Sequence, residues 1–132
     1  MTNDDPEQAP TDPPTTPSHD TEAIGPVWFR RDQLPVFSPF PGLAMRSVSG
    51  TNVMAIWVNF DPKFEVPVHH HPHEQMGLVL EGHLTLTIGE EMSVLGPGDA
   101  YAIPPDVRHG ATTAEDGCAL IDIFSPPRDD YR

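Results

Sequence analysis

The segment Pro67-Val68-His69-His70-His71-Pro72-His73-Glu74-Gln75 places four histidines, a glutamate and a glutamine within nine residues. Imidazole nitrogens and carboxylate or amide oxygens are the side-chain atoms that bind first-row transition metals. On an extended strand, residues i and i+2 share a face. His69 and His71 therefore point into one cavity and His70 points away. Pro72 breaks the strand and permits a turn that returns a later side chain to the same point. A surface histidine tract that collects metal without purpose would carry the same letters. The weight against that reading comes from His109, which follows the strand-like run Ala100–Ile103 and the rigid turn Pro104-Pro105.

Taken together, these residues resemble the cupin family. His69-x-His71, three residues, Gln75, six residues and Gly82 fit its first motif, and Gly98, five residues, Pro104 and then His109 fit its second. The resemblance runs from about Phe40 to Tyr131. It implies a ligand set of His69, His71, Gln75 and His109 around one divalent first-row metal (Fe, Ni, Zn or Mn). Two positions depart from the pattern. Gln75 stands where most cupins carry a glutamate. Asp106 stands where the second motif has glycine, at a turn where Asp tolerates the left-handed conformation. Glu74 and His73 are rival ligands, and the six-residue spacing to Gly82 favours Gln75. Three neutral imidazoles and an amide would leave the 2+ charge uncompensated, which makes a stronger Lewis acid.

Asp122 is the second chemical signal. It interrupts the apolar run Ala119-Leu120-Ile121-Asp122-Ile123-Phe124. By alternation it shares a face with Cys118, Leu120 and Phe124. If that face looks into the core, burial raises its pKa toward a useful acid–base value. If the strand is an edge, Asp122 meets solvent. Asp122-Ile123-Phe124-Ser125-Pro126-Pro127-Arg128-Asp129-Asp130-Tyr131 resembles the ending of small single-domain cupins of pectin and alginate breakdown, which share the His-x-His-Pro-His-Glu-Gln pattern. Those cupins help convert 4,5-unsaturated uronates to the linear keto form. The resemblance carries active-site roles onto Asp122, Phe124 and Arg128, with Arg128 pairing a substrate carboxylate. Tyr101 and Trp57 are candidate pocket walls, with simple packing as the alternative.

The elements that must position these groups are short strands. Leu43–Val48, Asn52–Phe60, Glu65–His71, Gln75–Leu80, His83–Ile88, Met92–Leu95, Ala100–Ile103, His109–Thr113 and Cys118–Phe124 alternate or are apolar, with turn residues between them. No helical period stands out. The pattern predicts an all-β, antiparallel barrel or two-sheet jelly roll, and the resemblance names the same fold, the double-stranded β-helix. Alternation turns His83 outward. Val27–Arg31 is expected to add an edge strand or to cover the barrel mouth. Asn52–Phe60 is apolar on both faces, which suggests a second subunit as outer cover and hence a homodimer.

The chain has 132 residues, a formal charge of −13 and one cysteine, Cys118. It is long enough for one small core. Six acids and no Lys or Arg precede Gly25, and residues 1–25 read as a disordered, acidic, proline-rich tail ahead of a barrel domain over residues 26–132. So acidic a balance argues against nucleic acid or an anionic membrane as partner. No signal peptide or apolar span is visible, so a cytoplasmic setting is expected. The function these signs support is a metal-dependent enzyme that isomerises or ring-opens a small anionic, sugar-acid-like substrate. An Fe-dependent dioxygenase is the first alternative, and a non-catalytic module binding a small ligand or metal is the second.

Overall fold

The computed structural model describes residues 25–132, so the expected disordered tail lies, but for Gly25, outside the described residues. Seven strands carry the fold: β1 (Leu43–Ser49), β2 (Met54–Phe60), β3 (Glu65–His69), β4 (Glu74–Ile88), β5 (Glu91–Leu95), β6 (Ala100–Ile103) and β7 (His109–Ser125). All pairings are antiparallel. The helices among the described residues are two single 3-10 turns, Arg31–Gln33 and Asp129–Tyr131.

The long strands β4 and β7 pair with each other and each serves two sheets. The first half of β4 and the second half of β7 join β1, β2 and β6 in the order β1-β2-β7-β4-β6. Their other halves join β3 and β5 in the order β3-β7-β4-β5. The two sheets thus fold over one core, the jelly-roll arrangement that the strand pattern predicts.

Two expected breaks are corrected. Gln75–Leu80 and His83–Ile88 form one strand, as do His109–Thr113 and Cys118–Phe124. At the expected turns the chain bends and keeps its pairing, with register shifts on either side of Gly82. Gly82 and Gly117 have φ of 75° and 64°. A Cβ on Gly82 would lie 2.2 Å from the carbonyl oxygen of Gly117, and one on Gly117 would lie 2.7 Å from that of Phe60. Glycine here lets two backbones cross where the strands change sheet.

Alternation sorts the rest. Met54, Ile56 and Val58 of β2 face the core with Val79 of β4 and Leu120 and Phe124 of β7. On the outer face of the same sheet, Met76, Leu78 and Leu80 are 44–48% exposed. Trp57 belongs to this outer face, flanked by Arg46 and Ile121 across the strands, and is therefore not a wall of the inner cavity. Val27 to Phe29 form no strand and do not cover the mouth. They run exposed beside Val48, Val53 and Ile123 on the outside of the sheet. Among the described residues, no helix is long and apolar enough to cross a membrane.

Candidate metal centre

Three histidines converge at one end of the core. β3 stops at His69, earlier than expected, and His71 lies in the loop that follows. His69 pairs with His109 across β3 and β7. Ring centroids are 4.3 Å apart for His69–His109, 4.9 Å for His71–His109 and 5.7 Å for His69–His71. One ligand nitrogen from each lies within 4.8 Å of the others, so the three could hold a metal ion.

Backbone carbonyls set the tautomers. Nδ1 of His69 donates to Pro67 O (2.8 Å), Nδ1 of His71 to His73 O (3.1 Å) and Nδ1 of His109 to Val107 O (2.8 Å). A carbonyl only accepts, so each proton sits on Nδ1 and each Nε2 keeps its lone pair. His109 Nε2 is buried and has no hydrogen-bond partner. His71 Nε2 faces Gln75 Oε1 at 3.1 Å. Two lone-pair atoms at that distance repel unless a cation lies between them or the amide turns its NH2 to the ring. Neighbouring ligand atoms around a first-row metal with ~2.1 Å bonds are about 3.0 Å apart at octahedral angles and about 3.4 Å apart at tetrahedral ones. An orphaned nitrogen and two facing acceptors therefore fit a metal. Burial, aided by the charge of Arg128, lowers the pKa of His71, and burial lowers that of His109. Both imidazoles are thereby kept neutral and able to bind a cation.

The segment Pro104 to Arg108 supports two of these groups. Asp106, at φ 65°, donates its backbone N–H to His71 O (2.8 Å), and Val107 supplies the carbonyl for His109. Of the rival ligands, Glu74 is exposed on the outward side of β4, whereas Gln75 is buried on the inward side. His73 stacks its ring edge-on to His71, centroids 5.6 Å apart. His83 is exposed and pairs with Asp116 at 2.7 Å.

Asp122, Phe124 and Arg128 border the same cavity as His69, His109 and Gln75, a space of about 110 Å³. Asp122 is desolvated, which raises its pKa to about 6 against the lowering effect of hydrogen bonds from Tyr101 and Gln75 and the charge of Arg128. Tyr101 donates its hydroxyl to Asp122 Oδ1 at 2.5 Å. Phe124 is buried, with its ring edge-on to His71 at 5.7 Å. The Arg128 side chain is 14% exposed. Its guanidinium lies 4.3 Å from the Tyr131 ring centroid and 5.2 Å from that of Phe124. Asp130 accepts from its Nε (3.3 Å) and one terminal nitrogen (3.0 Å). Gly77, Asp130 and Tyr131 also border these groups and are not among the residues that the sequence singles out. A glycine inside an apolar strand marks close approach of another group, which is the local sequence signal for Gly77.

An antiparallel jelly-roll barrel with a histidine cluster and a carboxylate at one end of its cavity defines a class of small β-barrel proteins that can hold a metal. The chain belongs to the cupin family: the Cupin_2 model, a cupin domain, matches residues 56–124. It is similar to KdgF, a pectin degradation protein of Dickeya dadantii (strain 3937), with 38% identity over 65 residues covering 49% of this chain and 59% of that protein. The H2HPP isomerase of Bacillus subtilis is 39% identical over 74 residues, covering 53% of this chain and 30% of that one. The chain thus spans less than two thirds of either curated relative. The solved structure of KdgF from Halomonas sp. superposes with a TM-score of 0.77 at 31% identity, covering 82% of this chain and 100% of that one.

Proposed function

We propose that this cupin is a metal-dependent enzyme that opens the ring of a small 4,5-unsaturated uronate and delivers the linear keto acid. One observation carries the reading: a desolvated carboxylate, Asp122, shares a cavity with His69 and His109 of the histidine cluster, with Gln75 and with a largely buried arginine, Arg128. The resemblance to pectin-degradation cupins supplies the substrate class. His69, His71, His109 and Gln75 would hold the metal. When bound, it would supply Lewis-acid polarisation of a substrate oxygen.

The chain's own groups account for binding and proton movement. Arg128 pairs the substrate carboxylate through the N–H groups that Asp130 leaves free. Phe124 walls the pocket beside His71 and keeps water from the reacting atoms. Asp122 takes the proton of the anomeric hydroxyl as the bond between C1 and the ring oxygen breaks. C1 becomes an aldehyde, and the bond pair leaves with the ring oxygen as an enolate. Collapse of the enolate to the C5 ketone places on C4 the proton that Asp122 carries. The sum is an isomerisation with no proton gained or lost. A carboxyl group near pKa 6 both accepts and returns a proton at neutral pH.

The test follows the ultraviolet absorbance of the 4,5-double bond with metal-loaded protein and lyase-generated unsaturated uronate. Decay accelerated by the protein and lowered at least ~100-fold in Asp122→Asn is the expected result. Decay no faster than without protein would sink the reading. Oxygen uptake by the iron-loaded protein would then move the site to dioxygenase chemistry, and tight binding without turnover would make it a binding module.

The outer face of the larger sheet supports a second element of the reading. Met76, Leu78 and Leu80 are exposed there beside Trp57, and we propose that a second copy of the chain covers them in a homodimer.

A further inference from the structure

We infer that Tyr101 is the positioning residue for Asp122, and that Gly77 is glycine so that Tyr101 can reach it. The inference rests on the proton-transfer role given to Asp122 above. It starts from register. Gly77 of β4 is paired with Tyr101 on β6 and with Asp122 on β7. The three residues therefore form one row across three neighbouring strands, and all face inward: Tyr101 and Asp122 border the cavity and Gly77 is buried with Gln75 and Val79 on its side of β4. Strands lie about 4.8 Å apart, so the two outer members of the row are about 10 Å apart at their backbones. Any side chain on the middle strand would stand between them.

At Gly77 nothing does. A Cβ built there would lie 2.2 Å from Tyr101 Cζ, 2.3 Å from its hydroxyl oxygen and 2.7 Å from Cε1. The phenol ring fills the space that every other residue would need, and this brings its hydroxyl to Asp122 Oδ1 at 2.5 Å. The adjoining inward positions of β4, Gln75 and Val79, both carry side chains, so the gap is confined to this row. A glycine inside a central strand weakens it, and the passage of Tyr101 gives the reason for having one.

The consequence is orientation. Free rotation about two side-chain bonds would let a short carboxylate present either oxygen in many directions. Tyr101 holds Oδ1 and the Gln75 side chain also bonds the carboxylate, so the group meets the substrate from a fixed plane, with the Tyr101 bond as the one that the Gly77 gap makes possible. A base must be within hydrogen-bond reach of the proton it takes, and small misplacements lower rates steeply. Tyr101 acts here through Asp122, with no reacting atom of its own.

Tyr101→Phe keeps the ring and removes the donor. With the metal-loaded protein and an unsaturated uronate, kcat is expected to fall about tenfold with KM unchanged within about twofold. The double variant Tyr101→Phe/Asp122→Asn should be no slower than Asp122→Asn alone. Proton NMR supplies a readout without turnover: a downfield hydroxyl resonance in the wild type, lost in Tyr101→Phe and shifted upfield in Asp122→Asn. Gly77→Ala should lose the resonance and lower kcat as Tyr101→Phe does. Should Gly77→Ala fail to fold, Gly77→Ala/Tyr101→Leu removes the clash, and recovered melting temperature without recovered kcat supports the same assignment. Wild-type kcat in Tyr101→Phe would overturn it, as would multiplicative losses in the double variant. Should the wild type not turn over the uronate, the reaction assigned above fails, and the hydroxyl resonance alone decides the pairing: its presence supports the inference and its absence overturns it.

Discussion

At the residue scale the site is a set of protons placed by their neighbours. Three carbonyls keep the Nδ1 protons of His69, His71 and His109, which leaves each Nε2 with its lone pair, and the three rings are close enough to share one metal ion. Protein purified without an affinity tag is expected to carry about one equivalent of a first-row metal, and His69→Ala/His109→Ala is expected to carry none, by elemental analysis. Asp122 leads to a stability prediction. Its carboxyl titrates near pH 6 in the fold against a usual value of 3.8, so the folded protein binds its proton before the unfolded chain does. Stability contributed by that proton is present at low pH and is lost as pH rises through 6. Asp122→Asn should therefore raise the melting temperature of metal-free protein at pH 7, by a free energy on the order of 2–3 kcal/mol. The gain should fade as pH falls toward 4, and a variant without it at pH 7 would contradict the burial argument. His71 and His109 run the other way. Their pKa values are lowered from 6.5, so the stability they support is lost as pH falls below 6.5.

At the element scale the two long strands matter most. β4 and β7 each pass from one sheet into the other, bending where Gly82 and Gly117 meet. Gly82→Ala is expected to destabilise by on the order of 3 kcal/mol, since it combines positive φ with a collision against backbone that cannot move aside. Gly98 is the control: its φ is 91° but a Cβ would meet nothing within 4 Å, so Gly98→Ala should cost about 1 kcal/mol. Urea unfolding of the two variants checks the difference. The same bend explains why two long strands read as four short ones. Turn-forming letters such as Glu81-Gly82 and Asp116-Gly117 signal a change of direction, and in a bulged strand the direction changes without a break in pairing.

At the scale of the whole molecule, the inner surface is filled and the outer one is not. Met54 and Ile56 are 0% and 1% exposed, whereas Leu78 on the opposite face of the same sheet is 44% exposed. Leu78→Lys would place a charge in the proposed contact and is expected to convert a dimer to a monomer with little loss of secondary structure. Light scattering after size exclusion measures this, and a wild type that is monomeric at all concentrations would reject the dimer.

The sequence by itself determined the fold class and put the candidate metal-binding side chains into one segment. Alternation of period two, proline turns and the spacing from His69 to Gly82 and from Gly98 to His109 are local properties, written in neighbouring letters. It also put Asp122 on the face of Leu120 and Phe124, but not which way that face looked. Tertiary structure decided what depends on residues far apart in the chain. It joined the half-strands, turned Gln75 inward and Glu74 outward, moved Trp57 to the outer face, and closed Arg128 between Tyr131, Phe124 and Asp130. It alone aligned Tyr101, Gly77 and Asp122 in one row. Strand pairing sets such neighbours through register, and register is a relation between segments that no single stretch of sequence contains.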